Sequence, residues 1–139
     1  MRGKTLKIVI DTNLWISFLI SKDFSKLGNV LFSKRVTLLF SDELESELLE
    51  VAGRPKFQRY FSSDDIQLLF DILQKNAVFI KVTSVENICR DPKDNFLLAL
   101  AVDGEANFLI TGDADLLTLV NHKGTRIMTI ADFMTINPS

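Results

Sequence analysis

With 139 residues, 47% of them hydrophobic and 24% charged, the chain has the length of one domain and enough apolar side chains to bury a substantial core. Sixteen basic and eighteen acidic residues leave a formal charge of −2, which excludes an overall basic nucleic-acid binder while leaving room for a local cationic track. The single cysteine, Cys89, excludes an internal disulfide and reads as a small buried apolar side chain in a reducing compartment.

The first element is LKIVI (6–10), an apolar run too short for a signal peptide and cut off by Asp11. No stretch reaches the roughly twenty apolar residues of a membrane span, so a cytoplasmic protein without a membrane partner is the expectation. After Asp11 a helix begins near Thr12 or Asn13. Trp15 lies there among Leu14, Ile16, Phe18 and Leu19, as core or as a protein contact. VTLLF (36–40) is the second strand. In SDELESELLEVA, Leu44, Leu48, Val51 and Ala52 form a helical stripe, and Ile66, Leu69, Phe70 and Leu73 form another in SDDIQLLFDILQ. VFIKV (78–82) is a third strand. FLLALAV (96–102), apolar around its circumference, is a buried helix. FLIT (108–111) and RIMTI (126–130) complete the strands. The alternation predicts a single-domain three-layer α/β/α sandwich with a central, mainly parallel sheet of four to five strands and right-handed crossovers.

In such sheets sites gather at the carboxyl ends of the strands. Asp11 stands at one strand end, and Asp113 and Asp115 follow another in FLITGDAD (108–115). Each acid has a structural reading. Asp11 and Asp113 suit helix N-caps, and in CRDPKDN Asp91 precedes Pro92, which favours the first helical position. Asp94 then falls third, sharing a face with Leu97, Leu98 and Ala101. The set is harder to dismiss than its members. Carboxylates that converge in partly desolvated surroundings repel one another, and a bound cation relieves the repulsion. Only Arg90 and Lys93 are nearby cations in sequence. An all-oxygen donor set favours Mg²⁺ or Mn²⁺ over zinc. A fourth acid should come from the helix at 42–52. Periodicity leaves Glu45 and Glu47 on opposite margins of the apolar stripe, with Glu43 and Glu50 farther towards solvent.

IVIDTNLWIS (8–17), SDELESELLEVAGRPKF (41–57), CRDPKDNFLLALA (89–101) and FLITGDADLL (108–117) together resemble the PIN-domain family of small metal-dependent nucleases. The resemblance is greatest to its branch of toxins from prokaryotic toxin–antitoxin pairs. It implies a PIN-like domain with catalytic acids Asp11, Glu47, Asp94 and Asp113, selecting Glu47 over Glu45. Asp11, Asp94 and Asp113 would hold Mg²⁺ or Mn²⁺, with Glu47 binding metal or positioning the water. Asp115 matches a more variable acid, a further metal ligand or an orienting group. Asn13 and Thr111 correspond to supporting polar residues. The implied activity is endoribonucleolytic, leaving 5′-phosphate and 3′-hydroxyl ends. RPKFQR (54–59) offers Arg54, Lys56 and Arg59 to RNA phosphates, with Phe57 and Tyr60 as stacking candidates or local core. Lys22, Lys26, Lys34 and Arg35 form a looser basic group. A cognate antitoxin protein is the implied partner, and the apolar residues at 14–20 and 66–73 are candidates for that contact or for a homodimer.

Two other functions stand beside this one. A haloacid-dehalogenase-type phosphatase also starts from an aspartate after the first strand, but it wants a second aspartate where Asn13 stands. A PIN-like scaffold that binds RNA or protein without cutting is the other. No Gly-rich loop or GK[ST] motif supports nucleotide binding.

Overall fold

A computed structural model of the protein describes residues 5–22, 28, 35–89 and 91–136. The central sheet has six strands: β1 (Leu6–Ile10), β2 (Val36–Phe40), β3 (Val78–Phe79), β4 (Phe108–Ile110), β5 (Asn121–His122) and β6 (Thr125–Met128). Their order is β3-β2-β1-β4-β6-β5, with all pairs parallel except β5–β6. The helices are α1 (Thr12–Ser21), α2 (Asp42–Ala52), α3 (Ser63–Asn76), α4 (Pro92–Asp103), α5 (Ala114–Leu117) and α6 (Ile130–Ile136). This is the expected mainly parallel sheet between helices, with three departures. The third strand stops at Phe79 instead of running to Val82, a short antiparallel strand, β5, precedes β6, and the strand expected over 126–130 runs Thr125–Met128, with Ile130 opening α6. The sequence signal for β5 is two residues long. Its hairpin is made by Lys123 and Gly124, with φ of 49° and 92°, the left-handed turn that matches strand twist.

The inner strands are continuous apolar runs because helices cover both faces. Ile8, Val9, Ile10, Leu109 and Ile110 are fully buried. Trp15 on α1 is also fully buried. It meets Phe40 and Phe18 edge-on and donates its indole N–H to the Ile10 carbonyl at 3.1 Å. The stripes of α2 and α3 face inward as their spacing requires. Leu44, Leu48, Val51, Ala52, Leu69, Phe70 and Leu73 are buried, so most of the apolar surface considered for a partner at 66–73 belongs to the core. Where α4 ends, Gly104 lies so close to β2 that a methyl group there would meet Leu39 Cδ1 at 2.6 Å.

The connection from β3 to α4 folds against the body through polar ties. Asp103, at the end of α4, accepts from the Thr83 and Ser84 amides at 2.6 and 2.9 Å and from the Ser84 hydroxyl. Glu86 reaches the β5–β6 hairpin, with its Oε1 2.6 Å from His122 Nε2 and its Oε2 accepting from Lys123 Nζ at 3.1 Å. Glu86 and His122 are both buried. The hydrogen bond to His122, with help from Lys123 and against the cost of burial, holds the Glu86 carboxyl below its ordinary value of 4.5. A lowered folded-state pKa stabilises the fold above the unfolded value, and that contribution is lost as pH falls through the folded one. Glu86→Gln should therefore cost about 1 kcal/mol near pH 6, and the two proteins should converge in urea titrations as the pH falls through the lowered folded-state value of Glu86. A constant difference at all pH values would show that the charge plays no part.

Candidate active site

The register builds the site. Ile10 of β1 pairs with Ile110 of β4, so Asp11 and Thr111 emerge side by side at the carboxyl edge. Asp11 and Thr111 are 2% and 0% exposed. The Thr111 hydroxyl donates to Asp11 Oδ2 at 2.6 Å and accepts the Asp113 N–H at 3.0 Å. One buried hydroxyl thus couples both strand ends. Asp11 caps α1, accepting the Asn13 N–H at 3.3 Å on its other oxygen. Asp113 caps α5, with Oδ1 taking the Asp115 N–H at 2.8 Å and the Leu116 N–H at 3.4 Å. Both cap readings hold. Among the described residues, no lysine or arginine pairs with Asp11 or Asp113.

Asp94 arrives from α4. The helix starts at Pro92, the Asp91 carbonyl accepts the Asp94 and Asn95 amides, and the Asp94 carboxylate turns inward, 2% exposed. Cys89 lies within the field of several of these acids. Burial raises its thiol pKa, and so, in falling order, do the charges of Asp94, Asp113, Asp115 and Asp91. This cysteine packs against the core as a small apolar side chain, but it is only half-buried and also lines a cleft. It is held by Asn95, whose side-chain amide accepts the Cys89 N–H at 3.0 Å and donates to the Cys89 carbonyl at 2.8 Å.

Helix α2 carries the remaining acids along distinct faces. Glu45 turns to α3 and accepts from Gln74 at 3.0 Å. Glu47 lines a shallow depression against α4 together with Glu43, Glu50 and Phe96, and its charge is felt by Arg54. Glu43 is exposed, but it faces the Cys89 cleft as well as this depression. Thr111 thus ties Asp11 to Asp113, Asp94 is buried on α4, and Glu47 lines a depression against α4. Asn13 is exposed on the first turn of α1, contributing its backbone N–H to Asp11. Among the described residues, no three acidic, histidine or cysteine side chains converge at the spacing of a shared metal shell.

The basic residues lie elsewhere. Arg54, Lys56 and Arg59 belong to the turn beyond α2, whose eleven residues span about 16 Å away from the carboxyl edge. Arg54 makes a two-pronged contact with Glu50, at 2.7 and 3.2 Å, and this hydrogen bonding holds it firmly cationic. Lys56 lies over Phe57 and Arg59 over Tyr60, 5.2 and 5.1 Å from the ring centres. Phe57 stacks on Phe61, so it is partly local core. Lys22 pairs with Asp65 at 3.7 Å. Lys26, Lys34, Arg90 and the Lys93 side chain lie outside the described residues.

A family model for the PIN domain matches residues 7–115, a span that takes in Asp11, Glu47, Asp94, Asp113 and Asp115. The chain belongs to the PIN-domain family, a nuclease-type fold whose members generally use divalent metal ions. It is also 30% identical over 117 residues to an uncharacterized protein of Methanocaldococcus jannaschii, an alignment covering 82% of this chain and 75% of that protein. No helix among the described residues is long and apolar enough to cross a membrane.

Proposed function

We propose that the chain is a Mg²⁺- or Mn²⁺-dependent endoribonuclease acting as the toxin of a toxin–antitoxin pair. The supporting observation is the link from Asp11 through Thr111 to Asp113 at the carboxyl edge, together with the buried Asp94 on α4. The residues fit the ion in kind. Every donor is a hard oxygen, and magnesium keeps several waters and needs only one or two carboxylates, so a closed cage is not required.

In this reading Asp11, Asp94 and Asp113 hold the ion, and Asp115 orients the shell or adds a ligand. Bound there, a divalent cation neutralises charge on the phosphoryl oxygens and acidifies a water. Thr111 and the Asn13 N–H fix the Asp11 carboxylate, so its oxygens need not reorganise. Glu47, which lines the depression against α4, orients the attacking water or joins the ion in this reading. The water oxygen bonds to phosphorus and the 3′-oxygen departs, leaving 5′-phosphate and 3′-hydroxyl ends. Arg54, Lys56 and Arg59 contact phosphates about one helix length from the cut.

The toxin role rests on the family resemblance, and it brings with it a cytoplasmic location and an antitoxin partner. Incubating the purified chain with single-stranded and structured RNAs tests the enzymatic core. Cleavage with Mn²⁺, its loss in EDTA and its return on re-addition are expected, with 5′-phosphate on the products. Cleavage that persists in EDTA would defeat the metal reading. Absence of cleavage from every RNA would leave a PIN-like binding scaffold.

A further inference from the structure

The rotation of α4 about its own axis is not set by its apolar residues. The run FLLALAV (96–102) has no polar face, so no stripe dictates which side turns inward. At the first turn, burial even opposes the rotation observed. Phe96 is 45% exposed while Asp94 is 2% exposed, whereas apolar surface gains from leaving water and a carboxylate loses. The two residues stand about 200° apart around the helix, so about half a turn would exchange them. A polar contact has to hold the turn as it is.

Asn95, the residue between them, makes that contact. Its side-chain amide accepts the Cys89 N–H at 3.0 Å and donates to the Cys89 carbonyl at 2.8 Å. Both backbone groups of one residue thus meet one planar amide, as they meet one residue in a hydrogen-bonded strand pair. Two bonds fix orientation as well as distance, so the amide reaches Cys89 at one rotation of the helix. Asp94 lies about 100° of helix from Asn95, and its direction is set with it. Cys89 is a firm anchor because its segment is held elsewhere, by Glu86 to the buried His122 and by Asp103 to Thr83 and Ser84. Asp103 ties that segment about 14 Å along the helix axis from Asp94, whereas Asn95 grips the turn that bears the acid.

We propose that Asn95 is a positioning residue of the metal site: by gripping the Cys89 backbone, its amide holds α4 at the rotation that turns the Asp94 carboxylate inward to a divalent cation. This deepens the nuclease reading and rests on it for the cation. Asn95 touches neither metal nor substrate. It gives up apolar burial for one specified arrangement, as buried polar contacts do where they fix the register of packed helices. Groups that orient metal ligands in this way are worth about 10–100-fold in metal affinity.

The experiment is calorimetric titration of Mn²⁺ into wild type, Asn95→Ala, Asn95→Leu and Asp103→Ala, with melting temperatures in EDTA. Asn95→Leu keeps the bulk of the side chain and removes both hydrogen bonds, so it answers the question if the alanine variant does not fold. The Asn95 variants should bind Mn²⁺ about tenfold more weakly than wild type. Asp103→Ala, which loses the ties to Thr83 and Ser84, should also melt lower in EDTA but bind Mn²⁺ as wild type does. That contrast separates the aiming of Asp94 from a general loosening of the fold. Wild-type affinity in the Asn95 variants, or equal weakening in Asp103→Ala, overturns the proposal and leaves the metal site standing. Failure of both Asn95 variants to fold also overturns it, since Asn95 is then a structural tie. If wild type itself binds no Mn²⁺, the metal reading fails and this inference falls with it.

Discussion

Asp11→Asn is expected to lower RNA cleavage at least a hundredfold, about 3 kcal/mol of transition-state stabilisation, without destabilising the protein. The two halves of this expectation have separate causes. Asparagine keeps one oxygen to cap α1 and puts its amide NH₂ where Oδ2 stood, and the Thr111 hydroxyl can turn to accept from it, so the cap survives and the local change is small. What it removes is a negative charge that Thr111 links by hydrogen bonds to the strand end carrying Asp113. Without a cation, that removal relieves repulsion, and the melting temperature in EDTA should equal or exceed that of wild type. With Mn²⁺, wild type should gain stability through binding to the folded state, and the variant should gain much less. Thermal melts with and without Mn²⁺, paired with cleavage assays, read both halves. If the variant melts several degrees lower in EDTA and activity falls only in step with the folded fraction, Asp11 is a structural cap and nothing more. Asp11→Ala is the useful contrast, because losing the cap should cost about 1 kcal/mol in any buffer.

Trp15→Ala should be the most damaging single change in the core, at about 3–5 kcal/mol. Total stability of a domain this size is about 5–15 kcal/mol, so the variant should lose a large part of it. The indole is fully buried, packed edge-on against Phe18 and Phe40, and bonded to the carbonyl of Ile10, the residue before Asp11. Trp15→Phe keeps most of the packing and abandons that carbonyl's side-chain partner, for a smaller loss of about 1–2 kcal/mol. Urea unfolding followed by circular dichroism separates the three proteins. A loss below about 1 kcal/mol in Trp15→Ala would mean that α1 is not packed on the sheet as described.

The elements legible in the sequence were those whose burial leaves a pattern. Strands β1, β2 and β4 are unbroken apolar runs because both their faces are covered, and α2 and α3 carry stripes at helical spacing. The acids of the strand ends were legible for the same reason, as charges interrupting apolar runs. Strands β3 and β5 were misread or missed because two residues have no periodicity. Phe96 was hidden by its neighbours. FLLALAV has no polar residue to mark its outer face, although Phe96 lies two residues, about 200° of helix, from the inward Asp94. Counting from Asp94 rather than from hydrophobicity would have exposed it. Cys89 and Glu43 face the cleft because of the segment at 82–89, whose path is set by Asp103 and by the long-range Glu86–His122 pair. Nothing in local sequence announces a contact between residues 36 apart.

Because Asp11 and Asp113 cap their helices through oxygens that asparagine also possesses, a G-to-A transition in either codon exchanges the charge and spares the fold. Silencing of the site by these changes should therefore yield abundant, folded molecules, and under the toxin reading proposed above selection on cell survival would recover them without any loss of expression.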